Sequence, residues 1–197
     1  MNIRVLTLGH LAENCYLVEN SGCVVIIDPG FEPEAVLRAA GERKIEAILL
    51  THGHFDHVGA VEALAEKCGC PVWMHQADYS PGLHPMREAL YPLADWPREV
   101  MLCEEGDSIS AAGLRFQVLE TPGHTWGSVC YRCGSALFSG DTLFAGSCGR
   151  TDLPGGSPEA MRRSLARLRE LPGDCTVYPG HGDATTLARE RQENPYF

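Results

Sequence analysis

Thr51-His52-Gly53-His54-Phe55-Asp56-His57 places three imidazoles and a carboxylate within six positions, directly after the apolar run Ala47-Ile48-Leu49-Leu50. The apolar run reads as a strand, and in an extended chain side chains alternate faces, so His52, His54 and Asp56 project to one side. His57 joins them once the backbone turns into a helix. Val58, Val61, Leu64 and Ala65 then recur at helical spacing as far as Gly69. The cradle thus lies at the carboxyl end of a strand, where open α/β sheets place their sites. Neutral imidazole and carboxylate suit zinc, iron or manganese, and four such groups exceed what one catalytic ion usually takes from a single segment. Two divalent ions are therefore expected, zinc first, with iron or manganese as alternatives. The competing reading is a polar strand end whose histidines are merely solvated.

Upstream of the cradle, residues 3 to 8, 14 to 19 and 23 to 28 are short β-rich runs divided by polar turns, the pattern of an antiparallel meander. Val24-Val25-Ile26-Ile27 is apolar at every position and should be covered on both faces. It delivers Asp28 to a Pro-Gly turn, where the carboxylate either shapes the turn or supports the ligands. A helix from Pro33 to Gly41 leads back to the strand at 46 to 50, and this alternation implies α/β layering.

Downstream, Val72-Trp73-Met74 reads as a strand. Residues 76 to 98 carry Pro81, Pro85, Pro92 and Pro97 without a period, an irregular excursion expected either to wall a binding site as a lid or to cap the core. A second β series follows at 99 to 103, 108 to 110, 114 to 120, 128 to 131 and 136 to 139, so two β-rich halves should pack face to face. Ser157 and Pro158 open a helix with Met161, Leu165 and Leu168 on one side and Arg162, Arg163, Arg167 and Arg169 on a solvated side. Thr176-Val177-Tyr178 makes a last short strand and 185 to 193 a last helix. His10, His75 and His84 belong to no motif and read as surface or core histidines.

At 197 residues and 44% hydrophobic, the chain suits one well-buried domain spanning 1–197. Lys plus Arg number 16 against 26 for Asp plus Glu, and the formal charge of -10 disfavours nucleic acid as a partner. No run approaches the ~18 apolar residues of a membrane span, and the first ten residues lack the form of an export signal. Nine cysteines, an odd number scattered through strands and helices, fit reduced thiols in a cytoplasmic protein. Cys130 and Cys133 have CxxC spacing, but in a strand they face opposite ways; Cys68 and Cys70 flank a helix-to-strand turn.

Three further segments share one form, a β run delivering a candidate ligand among glycines: Thr121-Pro122-Gly123-His124-Thr125, Ser139-Gly140-Asp141-Thr142 and Tyr178-Pro179-Gly180-His181-Gly182. Each alone is an ordinary turn; together with the cradle they resemble the metallo-β-lactamase fold superfamily, whose HxHxDH motif and distant His, Asp and His are all matched. The resemblance covers nearly the whole chain. It implies an α/β four-layer αββα sandwich, two mixed β-sheets flanked by helices, with two metals. His52, His54 and His124 would hold the first, Asp56, His57 and His181 the second, and Asp141 would bridge them, which makes Asp56 and Asp141 the catalytic carboxylates. Ser139 to Phe144, Gly149-Arg150-Thr151-Asp152-Leu153-Pro154-Gly155-Gly156 and the ending Arg189-Glu190-Arg191 with Asn194-Pro195 are more narrowly similar to short glyoxalase II-type hydrolases, the hydroxyacylglutathione hydrolase relatives. The longer members carry a helical region after the last His; here 16 residues follow His181.

That resemblance implies hydrolysis of a small-molecule thioester, with Arg150 meeting a carboxylate of the thiol half and Phe144 beside it at the substrate. Two ions sharing a water lower its pKa from 15.7 toward ~7, which supplies hydroxide at neutral pH. A departing thiolate, whose acid has a pKa near ~8.5, needs no strong acid to protonate it. The alternatives are an iron-dependent persulfide dioxygenase using His52, His124 and Asp141, and a non-catalytic metal-binding module.

Overall fold

The computed structural model describes residues 1–79 and 100–197. Among these, β1 (Asn2–Leu8), β2 (Glu13–Asn20), β3 (Cys23–Ile27), β4 (Lys44–Leu49), β5 (Val72–His75) and β6 (Met101–Cys103) lie in that order across one sheet. The first three are antiparallel and the rest parallel. Parallel neighbours need crossovers, and α1 (Pro33–Ala40), then α2 (Phe55–Val58) with α3 (Val61–Cys68), supply them.

The second sheet begins with β7 (Ser108–Ala111), β8 (Leu114–Glu120), β9 (Val129–Cys133) and β10 (Ala136–Gly140), all antiparallel. A hairpin of β11 (Leu143–Phe144) and β12 (Ser147–Cys148) leads to α4 (Pro158–Arg169), which crosses over to β13 (Thr176–Pro179), parallel to β10. An edge strand β14 (Thr185–Thr186) and helix α5 (Leu187–Glu193) complete the described chain.

Strand alternation divides the apolar side chains into three layers. Val25 and Ile27 meet Phe116, Val118, Tyr131 and Phe138 between the sheets. Val24 and Ile26 turn the other way, onto Val36 of α1 and Leu64 of α3. On the outer face of the second sheet, Leu137 and Val177 pack on Met161, Leu165 and Leu168 of α4 and Leu187 of α5. Each of these side chains contributes about 1.5–3 kcal/mol by leaving water. The result is the expected α/β four-layer αββα sandwich. Cys130 and Cys133 fall in different layers, as strand alternation requires, and all nine cysteines are free.

Four details differ from the sequence reading. Residues 101–103 pair parallel with β5 and extend the first sheet, not the second β series; three residues carry too little period to declare a partner. The helix after the cradle is two pieces, α2 and α3, separated at Gly59 and Ala60. Thr185 and Thr186 form a strand, and the Thr186 side chain caps α5, which therefore starts at Leu187. The β11–β12 hairpin was not foreseen. Of the 76–98 excursion, Gln76–Asp78 form a 3-10 turn, and residues 80 to 98 lie outside the described residues. Among the described residues, no helix is long and apolar enough to cross a membrane.

Candidate metal centre

The seven candidate ligands come from the ends of both sheets. The end of β4 is tied to the second sheet by the Tyr131 hydroxyl donating to the Leu50 carbonyl at 2.9 Å and the Val129 N–H to that of Thr51 at 2.8 Å. His54 occupies the N-cap position of α2, which puts Asp56 and His57 in its first turn. His124 lies in the β8–β9 loop, Asp141 just beyond β10 and His181 just beyond β13. His181 is placed from across the sandwich: Asn14 of β2 donates its N–H to the Gly180 carbonyl at 2.8 Å, and its side-chain amide to the carbonyls of Pro179 and Gly182 at 3.1 and 2.8 Å.

The structure brings all seven together. One nitrogen each of His52, His54 and His124 lies within 4.8 Å of the others, and the same holds for ligand atoms of Asp56, His57 and His181. Asp141 stands between the groups. Its Oδ1 is 3.5 Å from His57 Nε2, and its Oδ2 is 3.4 Å from His124 Nε2 and 3.7 Å from His181 Nε2. Gly180 makes room for it, since a Cβ there would run into Asp141 Oδ1 and stand 2.7 Å from the His57 ring.

Three observations test whether this donor set suits metal. His52 Nε2, His57 Nε2 and Asp141 Oδ1 are buried with no hydrogen-bond partner among the described residues, although buried polar atoms are nearly always satisfied. The spacings between His nitrogens and carboxylate oxygens run from 3.3 to 3.8 Å, long for hydrogen bonds. The two shortest, 3.3 and 3.4 Å, fall within the roughly 3.0–3.4 Å between donors that share an ion at bond lengths near 2.1 Å, and the others lie a few tenths of an ångström beyond it. His54 Nδ1 and His124 Nε2 converge to 2.8 Å, a hydrogen-bond distance shorter than that range.

The atoms behind the ring nitrogens fix how each ring is held. Asp28 is the chief support: its Oδ1 accepts the Thr51 N–H at 2.7 Å, and its Oδ2 accepts the Thr51 hydroxyl at 2.6 Å and faces His57 Nδ1 at 3.1 Å. Asp28 holds a left-handed backbone with φ of 50° to do this, so the turn and ligand-supporting readings both hold. The Thr51 hydroxyl also meets His52 Nδ1 at 3.1 Å. His124 Nδ1 lies 2.8 Å from the Arg150 carbonyl and His181 Nδ1 3.2 Å from that of Leu11. Burial, and then the imidazoles of His57, His54 and His124, push the His52 pKa well down. Burial works against a charge on His57 too, but Asp141, the Asp28 contact and Asp56 outweigh it and raise its pKa well above the usual value. The carboxylate side of the centre therefore favours positive charge.

Phe144 and Arg150 stand on either side of the β12 strand. The Phe144 ring is edge-on to His181, with centroids 6.3 Å apart. Arg150 contributes its carbonyl to His124, while its guanidinium forms a two-point fork with Asp152, both contacts at 2.7 Å. The carboxyl-terminal signature has a structural task. Buried Glu190 accepts the Gly146 N–H at 2.8 Å, the Thr185 hydroxyl at 2.6 Å and the Asn194 amide at 2.8 Å, and Asn194 donates on to the Ser147 carbonyl at 3.0 Å. It clamps the hairpin that carries Phe144. His75 pairs with Glu120 at 3.0 Å and His10 lies against Phe31, so neither joins the centre; His84 lies outside the described residues.

Sequence reading missed Glu13. It is fully buried, neither oxygen has a hydrogen-bond partner among the described residues, and burial raises its pKa to about 10 against the opposing charge of His57. The signal was faint: an acidic residue opening a strand whose middle, Cys15 to Val18, is apolar.

Residues 8–181 match the family model of the metallo-β-lactamase superfamily. The chain belongs to the metallo-β-lactamase superfamily. Its fold and its His/Asp clusters fit a metal-dependent hydrolase that uses divalent ions. Within the superfamily it is 32% identical to a hydroxyacylglutathione hydrolase, GloC, of Haemophilus influenzae, over all of this chain and 98% of that one. The solved structure of TTHA1623 in a di-iron-bound form is 46% identical with a TM-score of 0.86, covering 98% of this chain and 100% of that one. That of the BLEG-1 B3 metallo-β-lactamase is 35% identical with a TM-score of 0.91, covering 99% of each.

Proposed function

We propose that this superfamily member hydrolyses a thioester of a small acyl group, S-lactoylglutathione or a related hydroxyacyl thioester, at a two-metal centre. His52, His54 and His124 would hold one ion, Asp56, His57 and His181 the other, and Asp141 would touch both. The observation that carries this reading is the position of Asp141, whose two oxygens face histidines of both groups at 3.4 to 3.7 Å. Bound there, divalent ions supply an activated water and polarise the acyl carbonyl.

The chain's own part is orientation. Asp28 and the Arg150 and Leu11 carbonyls fix the rings, and the clamp of Glu190 and Asn194 holds Phe144 at the edge of the centre. Phe144 would line the acyl path, and Arg150 would meet a carboxylate of the thiol half, a task for which its planar fork is suited. A thiolate departs without a proton donor because the pKa of its acid is near ~8.5. The likeness to GloC supports the substrate class.

The deciding experiment is the catalytic efficiency on S-D-lactoylglutathione, with metal content determined on the same sample and a β-lactam as control substrate. A value above ~10⁴ per molar per second with two metals per chain, in the ordinary enzyme range, is expected. A negligible value with one iron per chain would overturn the hydrolase reading and point to persulfide oxidation. Preferential turnover of the β-lactam would overturn the thioester.

A further inference from the structure

Asp78 ends the 3-10 turn that follows β5 and is 2% exposed. Its Oδ2 accepts the Gly53 N–H at 2.9 Å and the Thr125 hydroxyl at 2.6 Å; its Oδ1 accepts the Gly127 N–H at 2.7 Å. All three are donors, so every bond requires the carboxyl group to act as an acceptor. Their positions are what matter. Gly53 lies between His52 and His54, in the cradle at the end of the first sheet. Thr125 follows His124 directly, and Gly127 is in the same loop of the second sheet.

One carboxylate therefore ties together the two loops that supply the three-histidine group. The His124 loop is closely seated on it: a Cβ at Gly127 would fall 2.7 Å from both the backbone nitrogen and Oδ1 of Asp78. Between these anchors Trp126 is 66% exposed, so the tip of the loop has little packing of its own. The Thr125 hydroxyl also meets Ser128 Oγ at 2.7 Å, which stiffens the loop around the same point. The other group hangs on Asp28, whose Thr51 contact also reaches His52, and on the Asn14 contacts to Gly180 and Gly182; none of these touches Asp78.

We propose that Asp78 is the positioning residue of the three-histidine half of the centre: it sets the separation between the cradle and His124, and so the metal affinity of that half alone. This rests on the reading that His52, His54 and His124 share an ion. An outlying carboxylate that orients ligands commonly governs affinity by about 10–100-fold, and that is the effect expected here.

The test is titration of metal-stripped protein with cobalt(II), followed by its visible absorption and by competition with a chelator, on wild type, Asp78→Ala, Thr125→Val and His124→Ala. In wild type two binding steps are expected, and His124→Ala identifies the one belonging to the three-histidine group. If His124→Ala alters neither step, the underlying metal assignment fails. If it removes one, Asp78→Ala should weaken that same step by about 10–100-fold and leave the other within error, and turnover should return when metal is added in excess. Thr125→Val, which deletes only the hydroxyl donor, should weaken the same step less, and it decides the matter if Asp78→Ala does not fold. Equal weakening of both steps, weakening of the other step alone, or wild-type affinity in a folded variant would each overturn the proposal.

Discussion

His57 Nδ1 lies 3.1 Å from Asp28 Oδ2, the oxygen that also accepts the Thr51 hydroxyl. A carboxylate in that position keeps the ring proton on Nδ1 and leaves Nε2 directed at Asp141. Asp28→Asn preserves shape but can present an amide N–H to the ring, which favours the opposite tautomer and blocks the nitrogen on the Asp141 side. We expect metal affinity at the Asp56, His57 and His181 group to fall about 10–100-fold. Stability should fall by about 1.5–3 kcal/mol, because an acceptor for two Thr51 donors is weakened. Equilibrium dialysis and urea unfolding check both. Two ions held with unaltered affinity would remove Asp28 from the argument.

Glu13 allows a prediction about pH. Its folded pKa of about 10 stands above the ordinary 4.5, chiefly through burial. Between these values the unfolded chain carries the charge and the folded chain keeps the proton, so the group's contribution is intact below about pH 4.5 and is lost progressively as pH rises toward 10. Glu13→Gln removes the linkage without changing the side chain's size. In metal-stripped protein the variant should match wild type near pH 4 and gain on it by about 1.4 kcal/mol per pH unit from pH 5 to 7. A stability difference that is flat across this range would show that Glu13 is ionised in the fold.

The cradle was legible because its ligands are nearly contiguous and follow an apolar strand, so alternation alone placed His52 and His54 together. Both β-rich halves and α4 could be read for the same reason, since Val24 to Ile27 and Met161, Leu165 and Leu168 carry clear periods. The sheet joined by 101–103 and the strand at 185–186 could not. Residues 101–103 and 185–186 are too brief for a period, and their sheet is decided by backbone pairing with β5 and β13. Asp78 and Glu13 were invisible for a different reason. Two of the three donors to Asp78 are backbone N–H groups, which leave no mark in a sequence, and an unpartnered buried carboxyl looks like any other Glu until its surroundings are known.

Arg150 is committed to Asp152 by two contacts of 2.7 Å, with side chains 60% and 66% exposed. An exposed pair of this kind contributes little to stability, so Arg150→Ala should melt close to wild type. If the guanidinium also meets a carboxylate of the thiol half, the variant should raise KM for a glutathione thioester about tenfold with kcat held within about twofold, the signature of lost uniform binding. Asp152→Ala should do less, since it frees the fork without removing it. An unchanged KM in Arg150→Ala would leave the fork as a surface pair and nothing more.

Asp141 bears the greatest burden. Its side chain is 12% exposed, and Oδ1 and Oδ2 address His57 on one side and His124 and His181 on the other. If it serves both ions, Asp141→Ala should lose at least one of them as well as turnover, by on the order of 10³-fold or more, since the charge stabilisation supplied by such ions amounts to several kcal/mol. Asp141→Asn separates shape from charge: it keeps one oxygen able to reach either group but replaces the other with an amide, so it should retain a single ion and little activity. Circular dichroism on the metal-stripped variants guards against misfolding, Asp141 lying just beyond the end of β10. Metal analysis then decides. Loss of ions in both variants agrees with a shared carboxylate, whereas an alanine variant that keeps two ions per chain and loses only turnover would confine Asp141 to the reaction itself.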